Sequence, residues 1–272
     1  MRLRTALSCG LAAVLLCQPV AGCGARAAAG TIVSGPMFDD FSGPQGSRPN
    51  PEYWTMDVGP SAEKGWERGS LQTYTDSPDN VRLDGYGNLV IEARKSGDGY
   101  TSGRLVTRGK LLFPLGTISA RIKFPAGQGL WSAFWMLGAD IETIGWPDCG
   151  EIDIMEMINT GSTYNIALHA PGADVEKKDS IDDLSRDYHN YWMTRTEDRV
   201  TVGVDKATLA NFTAESFPAP WIFDRPMFAL LNLAVGGDWP GQPDPSTPFP
   251  ASMSVDWFSY QPLDPSTPQS QE

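Results

Sequence analysis

Trp146-Pro-Asp-Cys-Gly-Glu-Ile-Asp-Ile-Met-Glu-Met-Ile158 alternates polar and apolar residues from Glu151 onward: Glu151, Ile152, Asp153, Ile154. A two-residue period puts the acids on one face of a strand and the aliphatics on the other. Met155 interrupts the alternation, which resumes one step late at Glu156 and Met157. One extra residue inside a strand is the sequence trace of a β-bulge, and it re-aims everything after it. With the bulge, Glu151, Asp153 and Glu156 project from a single face. A helix would set Glu151 and Glu156 about 140° apart at 3.6 residues per turn, and the acids would diverge.

Three carboxylates on one face repel one another, so at least one is expected to keep its proton at neutral pH. Such an arrangement suits a reaction that needs an acid and an anion side by side. The plainer alternative is an acidic edge strand that is simply solvated.

The same strand grammar recurs along the chain. Asn88–Ala93, Thr117–Phe124, Ser132–Leu137, Tyr164–His169, Arg199–Val204, Met227–Ala234 and Met253–Tyr260 are short runs rich in β-formers. Turn-forming stretches such as Asp84-Gly-Tyr-Gly-Asn88 and Pro125-Ala-Gly-Gln-Gly129 separate runs of this kind. With 28 Gly and 22 Pro, no βαβ rhythm and no internal repeat, the pattern predicts an all-β antiparallel sandwich. The charged stretch Ala173 to Asp187 reads equally as loop or short helix.

At 272 residues the chain can bury a core without disulfide support. Its formal net charge of −12 and the lack of any basic run argue against nucleic acid and against charge-driven attachment to anionic lipid. Residues 1–23 read as an export signal, with Arg2 and Arg4 ahead of a short apolar run from Ala6 to Cys17. Val20-Ala-Gly-Cys23 resembles a bacterial lipoprotein box, making Cys23 the candidate acylation site; Ala25-Arg-Ala27 is a competing ordinary cleavage site. The expected product is an exported protein, either lipid-anchored at the cell surface through Cys23 or secreted. Residues 24–36 read as a flexible tether, 37–262 as the sandwich domain and 263–272 as a disordered tail. Cys149 is then the one remaining thiol of the four, which excludes an internal disulfide.

Nine tryptophans are many for this length. Trp131 and Trp135 are four apart and so share a strand face, and Trp239 sits among glycines and prolines where it is hard to bury. Aromatic faces stack on sugar rings, whose C–H edges are apolar. Trp239 is the best exposed platform, whereas Trp135 reads equally as core. Trp54, Trp66, Trp221 and Trp257 read as structural. Asp39 and Asp40 are either turn caps or oxygen ligands for Ca²⁺.

Glu151-Ile-Asp-Ile-Met-Glu156 resembles the Glu-x-Asp-x-x-Glu signature of family 16 glycoside hydrolases, most nearly the bacterial laminarinases. Further matching stretches are Tyr74-Thr-Asp-Ser-Pro-Asp-Asn-Val81, Tyr100-Thr-Ser-Gly-Arg104, Gly129–Leu137, Leu231–Gly241 and Thr247-Pro-Phe-Pro-Ala251. The resemblance implies a β-jelly roll with a concave cleft. It also implies retaining hydrolysis of internal 1,3-β-glucosidic bonds by double displacement, with no cofactor needed for catalysis. Glu151 would be nucleophile, Glu156 the general acid/base, and Asp153 a helper bonded to the nucleophile. Trp131, Trp135, His169, Asn232 and Trp239 would contact a β-glucan polysaccharide, the expected partner of a monomer. Asp40 and Asp256 match the region that holds structural Ca²⁺ in many members. Two other readings are a transglycosylase remodelling surface glycan and a non-catalytic carbohydrate-binding sandwich. The chain departs from the laminarinase pattern at Gly69 and Ser70, where Asn-Glu is usual, and at Arg195, where Trp is usual. The first change bears on glycone recognition, the second on packing.

Overall fold

A computed structural model describes residues 30–60, 67–182 and 184–263. Cys23, the export signal, the first part of the expected tether, Trp66 and the tail from 264 lie outside these residues.

The strand periodicity becomes two sheets packed face to face. The seven-stranded sheet runs Ala173–Ser180, Thr163–Ala170, Glu151–Ile158, Leu130–Gly138, Met227–Val235, Arg104–Val106, Thr55–Met56 from edge to edge. The eleven-stranded sheet is centred on Gly116–Lys123, which pairs antiparallel with His189–Arg195 on one side and Ala251–Pro262 on the other. Gly116–Lys123 alternates buried and half-buried residues, as a strand with one face on the core must. Met227–Val235 is buried along all nine residues, which fits its place in the middle of the smaller sheet.

Ile118, Ile122, Val255 and Phe258 of the larger sheet meet Phe134, Met136, Ile152, Ile154 and Met155 of the smaller one in a single core. A second apolar cluster, with Val106, Ala133, Trp135, Leu137, Cys149 and Leu230, lies on the opposite face of the smaller sheet, beneath the concave surface. Cys149 is free and buried there, and burial pushes its thiol up to about 11.

The antiparallel sandwich is as expected, with two short parallel pairings added. Gln72–Tyr74 runs parallel to Gly99–Ser102. Thr31–Ile32 runs parallel to Leu111–Leu112, so the end of the segment read as a tether belongs to the folded body. Ala173–Ser180, left open between loop and helix, is a strand bonded along its whole length to Thr163–Ala170. Its charges conceal the β pattern because it is an edge strand, exposed at most positions.

Arg195 does more than fill space. Its side chain is fully buried, and its guanidinium donates to the carbonyls of Phe113, Pro114, Phe223 and Arg225 at 2.7 to 3.0 Å. It thereby ties two loops to the end of strand His189–Arg195, while burial lowers its pKa to about 10. Arg195→Met keeps much of the apolar stem but strands four carbonyls. Urea unfolding is expected to show a loss of about 3 kcal/mol or more, and a loss below about 1 kcal/mol would contradict the bracing role.

Candidate active site

The hairpin joining Leu130–Gly138 to Glu151–Ile158 sets the register of the acids. Its neck is so tight that a Cβ on Gly138 would lie 2.0 Å from the Cys149 carbonyl oxygen. Asp153 pairs with Trp135 and Ala167, while Glu156 pairs with Ala133 and Asn165. Ile154 and Met155 together therefore span the single residue Ile166, which is the bulge expected from the sequence. Ile152, Ile154, Met155 and Met157 all turn into the core. Glu151, Asp153 and Glu156 are left lining one groove on the concave face.

Each acid is held. Trp146 Nε1 donates to Glu151 Oε2 at 2.6 Å. Trp131 Nε1 and Asn165 Nδ2 donate to the two oxygens of Glu156 at 2.9 and 2.8 Å. His169 bridges Asp153 Oδ2, at 3.1 Å from Nε2, and Asp174 Oδ1, at 2.7 Å from Nδ1. Asp153, expected beside the nucleophile, is thus gripped by the histidine.

Burial, then the charge of Asp153, pushes Glu156 up to about 8. The same two causes lift Glu151 well above the usual carboxylate range, while His169 and the Trp146 N–H pull it back. Burial alone would lower His169, but bonding to Asp153 and the nearby negative charges win and raise it to about 10. At neutral pH Glu156 is protonated beside the His169 imidazolium, which bonds to Asp153 and, with the Trp146 N–H, favours the anion of Glu151.

Glu151, Asp153 and His169 offer ligand atoms within 4.8 Å of one another, a spacing that would suit a metal. Both ring nitrogens of His169 already have carboxylate partners, Asp153 and Asp174, so the group is tied together through that histidine. Each residue of the pair implied for calcium has a partner within the chain. Asp256 is engaged by Arg121 at 2.6 Å, and Asp40 caps the backbone N–H of Ser42 at 3.0 Å.

The groove has a volume of about 340 Å³. Trp131, Trp146 and Trp239 wall it, with Trp146 44 % exposed and Trp239 37 % exposed, so both present ring surface to a ligand. Trp131 meets Trp239 edge-on at 5.2 Å. Trp135 and Asn232 are placed differently from a stacking platform. Both are buried in the floor, and Trp135 Nε1 donates to Asn232 Oδ1 at 2.7 Å. A larger hollow of about 620 Å³ lies away from the acids, between Arg48, Trp54, Val58, Thr75 and Lys110.

Cross-strand pairing lays a row across the sheet that is polar except at Ala133: Lys178, Asn165, Glu156, Ala133, Asn232, Arg104. Asn165 and Lys178 were not legible as site residues, because only the register brings Asn165 opposite Glu156 and Lys178 opposite Asn165. Arg68, Glu176 and Trp146 also line the groove unannounced; Trp146 alone had a signal, an aromatic five residues before the first acid. At the departures, a Cβ on Gly69 would lie 2.8 Å from Asp238 Oδ1, and Ser70 is buried in a bridge to Gly236. The carboxylate that enters the floor beside them is that of Glu67.

A model of "Glycosyl hydrolases family 16" matches residues 69–259. The chain is 38 % identical over 240 residues to a beta-glucanase of Rhodothermus marinus, covering 80 % of each. The laminarinase catalytic domain of Thermotoga maritima superposes with a TM-score of 0.77 at 36 % identity, over 84 % of this chain and 97 % of that one. The endo-beta-1,3-glucanase of Pyrococcus furiosus does so with a TM-score of 0.76 at 39 % identity, over 84 % and 94 %. Bulged acid strand, aromatic groove and sequence kinship agree, and the chain belongs to glycoside hydrolase family 16.

Proposed function

We propose that this protein is a retaining endo-glycosidase cutting internal 1,3-β bonds of a β-glucan. The observation that carries the reading is the bulge, which sets Glu156 beside Glu151 in one aromatic groove. The 1,3-β assignment is supported by what the Thermotoga and Pyrococcus relatives are called.

In the first displacement the Glu151 carboxylate attacks the anomeric carbon, while Glu156 gives its proton to the departing glycosidic oxygen. The leaving chain departs as an alcohol and an ester joins the sugar to Glu151. Glu156, now ionised, takes a proton from water. The resulting hydroxide attacks the same carbon and frees Glu151, restoring both groups and the β configuration. The His169 imidazolium and the Trp146 N–H favour the anion of Glu151 before attack. Asp153 keeps His169 charged and helps hold the proton on Glu156. Arg2, Arg4, the apolar run after them and the box at Cys23 support export with a lipid anchor. Labelled palmitate should enter the wild type and not Cys23→Ser; equal labelling of both would refute the anchor.

Laminarin digested by the wild type should yield new reducing ends of β configuration, seen directly by proton NMR. Glu151→Gln should lose roughly 10⁴-fold or more in kcat through loss of the nucleophile. A wild type inert on laminarin, or an unimpaired variant, would refute the reading.

The pH dependence follows from the same groups. Glu156 must be protonated to act as acid, so activity should fall with a midpoint near 8. Asp153→Asn removes a charge that raises Glu156, and should move this alkaline limb to lower pH by about one unit or less.

Stability should respond in the same direction. Glu156 rises from an ordinary 4.5 to about 8, so between those values the folded chain keeps a proton that the unfolded chain has lost, and stability falls as pH rises. His169, raised from 6.5 to about 10, adds stability that is complete below 6.5 and lost as pH climbs through 10. Calorimetry of Glu156→Gln should therefore give a higher Tm than wild type at pH 8, and a smaller difference at pH 5.

A further inference from the structure

A fourth buried carboxylate stands beside the reaction site and takes no part in the double displacement. Glu67 is 4 % exposed and lines a narrow hollow of about 40 Å³ that it shares with Trp135, Asn232 and the three acids. Four side chains donate to it. Arg104 Nη2, Tyr74 OH at 2.9 Å and Asn232 Nδ2 at 3.2 Å point at Oε1, and Gln72 Nε2 points at Oε2 at 2.8 Å. A carboxylate has about four lone-pair sites, so Glu67 is saturated and has none left for a sugar hydroxyl. Whatever it does for the reaction, it does through the groups it holds.

Those groups form a directed chain. A carboxylate can only accept, so each neighbour must present a proton to it. Burial, with the charge of Glu67, keeps the Tyr74 hydroxyl far above its ordinary range and therefore protonated. Asn232 turns its NH₂ to Glu67 and to the Tyr74 oxygen, 3.1 Å away. Its carbonyl oxygen must then face the other way, where it receives the Trp135 indole N–H. Trp135 pairs across the strands with Asp153 and walls the same hollow as Glu151 and Glu156. Arg104 supplies the counter-charge and lies 4.4 Å from the centre of the Tyr74 ring.

We propose that Glu67 is a positioning residue for the glycosidase reaction: as an acceptor-only root it fixes the amide orientation of Asn232, and through it the Trp135 indole against the acids. This rests on the glycosidase reading above.

Glu67→Gln keeps the shape but adds a donor at the root, so one amide in the chain must turn over. The expected result on laminarin is a fall in kcat of about 10- to 100-fold with KM within about threefold. The alkaline midpoint should move less than in Asp153→Asn, because Glu67 is not among the groups that raise Glu156. In the ¹⁵N spectrum the Trp135 indole N–H, assigned by Trp135→Phe, should shift. Tyr74→Phe leaves the Glu67–Arg104 pair intact and serves if Glu67→Gln does not fold; it should shift the same indole signal and lower kcat in the same sense. A folded Glu67→Gln with wild-type kcat and an unmoved indole signal overturns the proposal. A loss confined to KM also overturns it, since that would make Glu67 a substrate ligand. The indole signal needs no substrate, so a wild type inactive on laminarin would defeat the glycosidase reading while the spectrum still tests the hydrogen-bond chain.

Discussion

The constraint on which everything else depends is the two-residue period of a β-strand and the single place where it is broken. A strand has two faces, and one of them here is sealed into an apolar core. Without the bulge, Glu156 would face that apolar core, where an unpaired carboxylate is untenable. With it, Ile154 and Met155 share the space opposite Ile166, and the third acid joins the first two in the groove. The apolar side of the strand and its chemical side thus come from one backbone irregularity.

Grouping acids in a half-dry groove creates a problem that the surroundings answer locally. Three indole or amide N–H groups reach the two glutamates, and His169 sits between Asp153 and Asp174. Below them, Glu67 and Arg104 form a buried ion pair. Such pairs contribute little net stability. What this one provides is direction, because an acceptor-only group at the base leaves each polar neighbour a single way to point.

How far the sequence revealed this depends on whether a feature is local. The strand, its bulge, the face shared by the acids and the exposure of Trp239 are all encoded within a few residues. The edge strand Ala173–Ser180 was missed because an edge has little to bury, and its lysines and acids resemble a solvated loop. Trp135 could not be placed, since whether an indole is floor or platform depends on Asn232 nearly a hundred residues away. Glu67 had no signal at all; its four donors come from positions 72, 74, 104 and 232 and meet only in the folded chain.

The charged edge has a consequence for how a polymer gets in. Glu176, Lys177, Lys178 and Asp179 stud the last strand of the concave sheet, and such an edge discourages another strand from adding to it. Among the described residues, no strand is added beyond this edge, and Lys178 reaches from it to within 5.7 Å of the Trp239 ring. The edge strand therefore contributes side chains, not backbone, to the groove, and a glycan meets Glu176 and Lys178 as charged tips that can move aside.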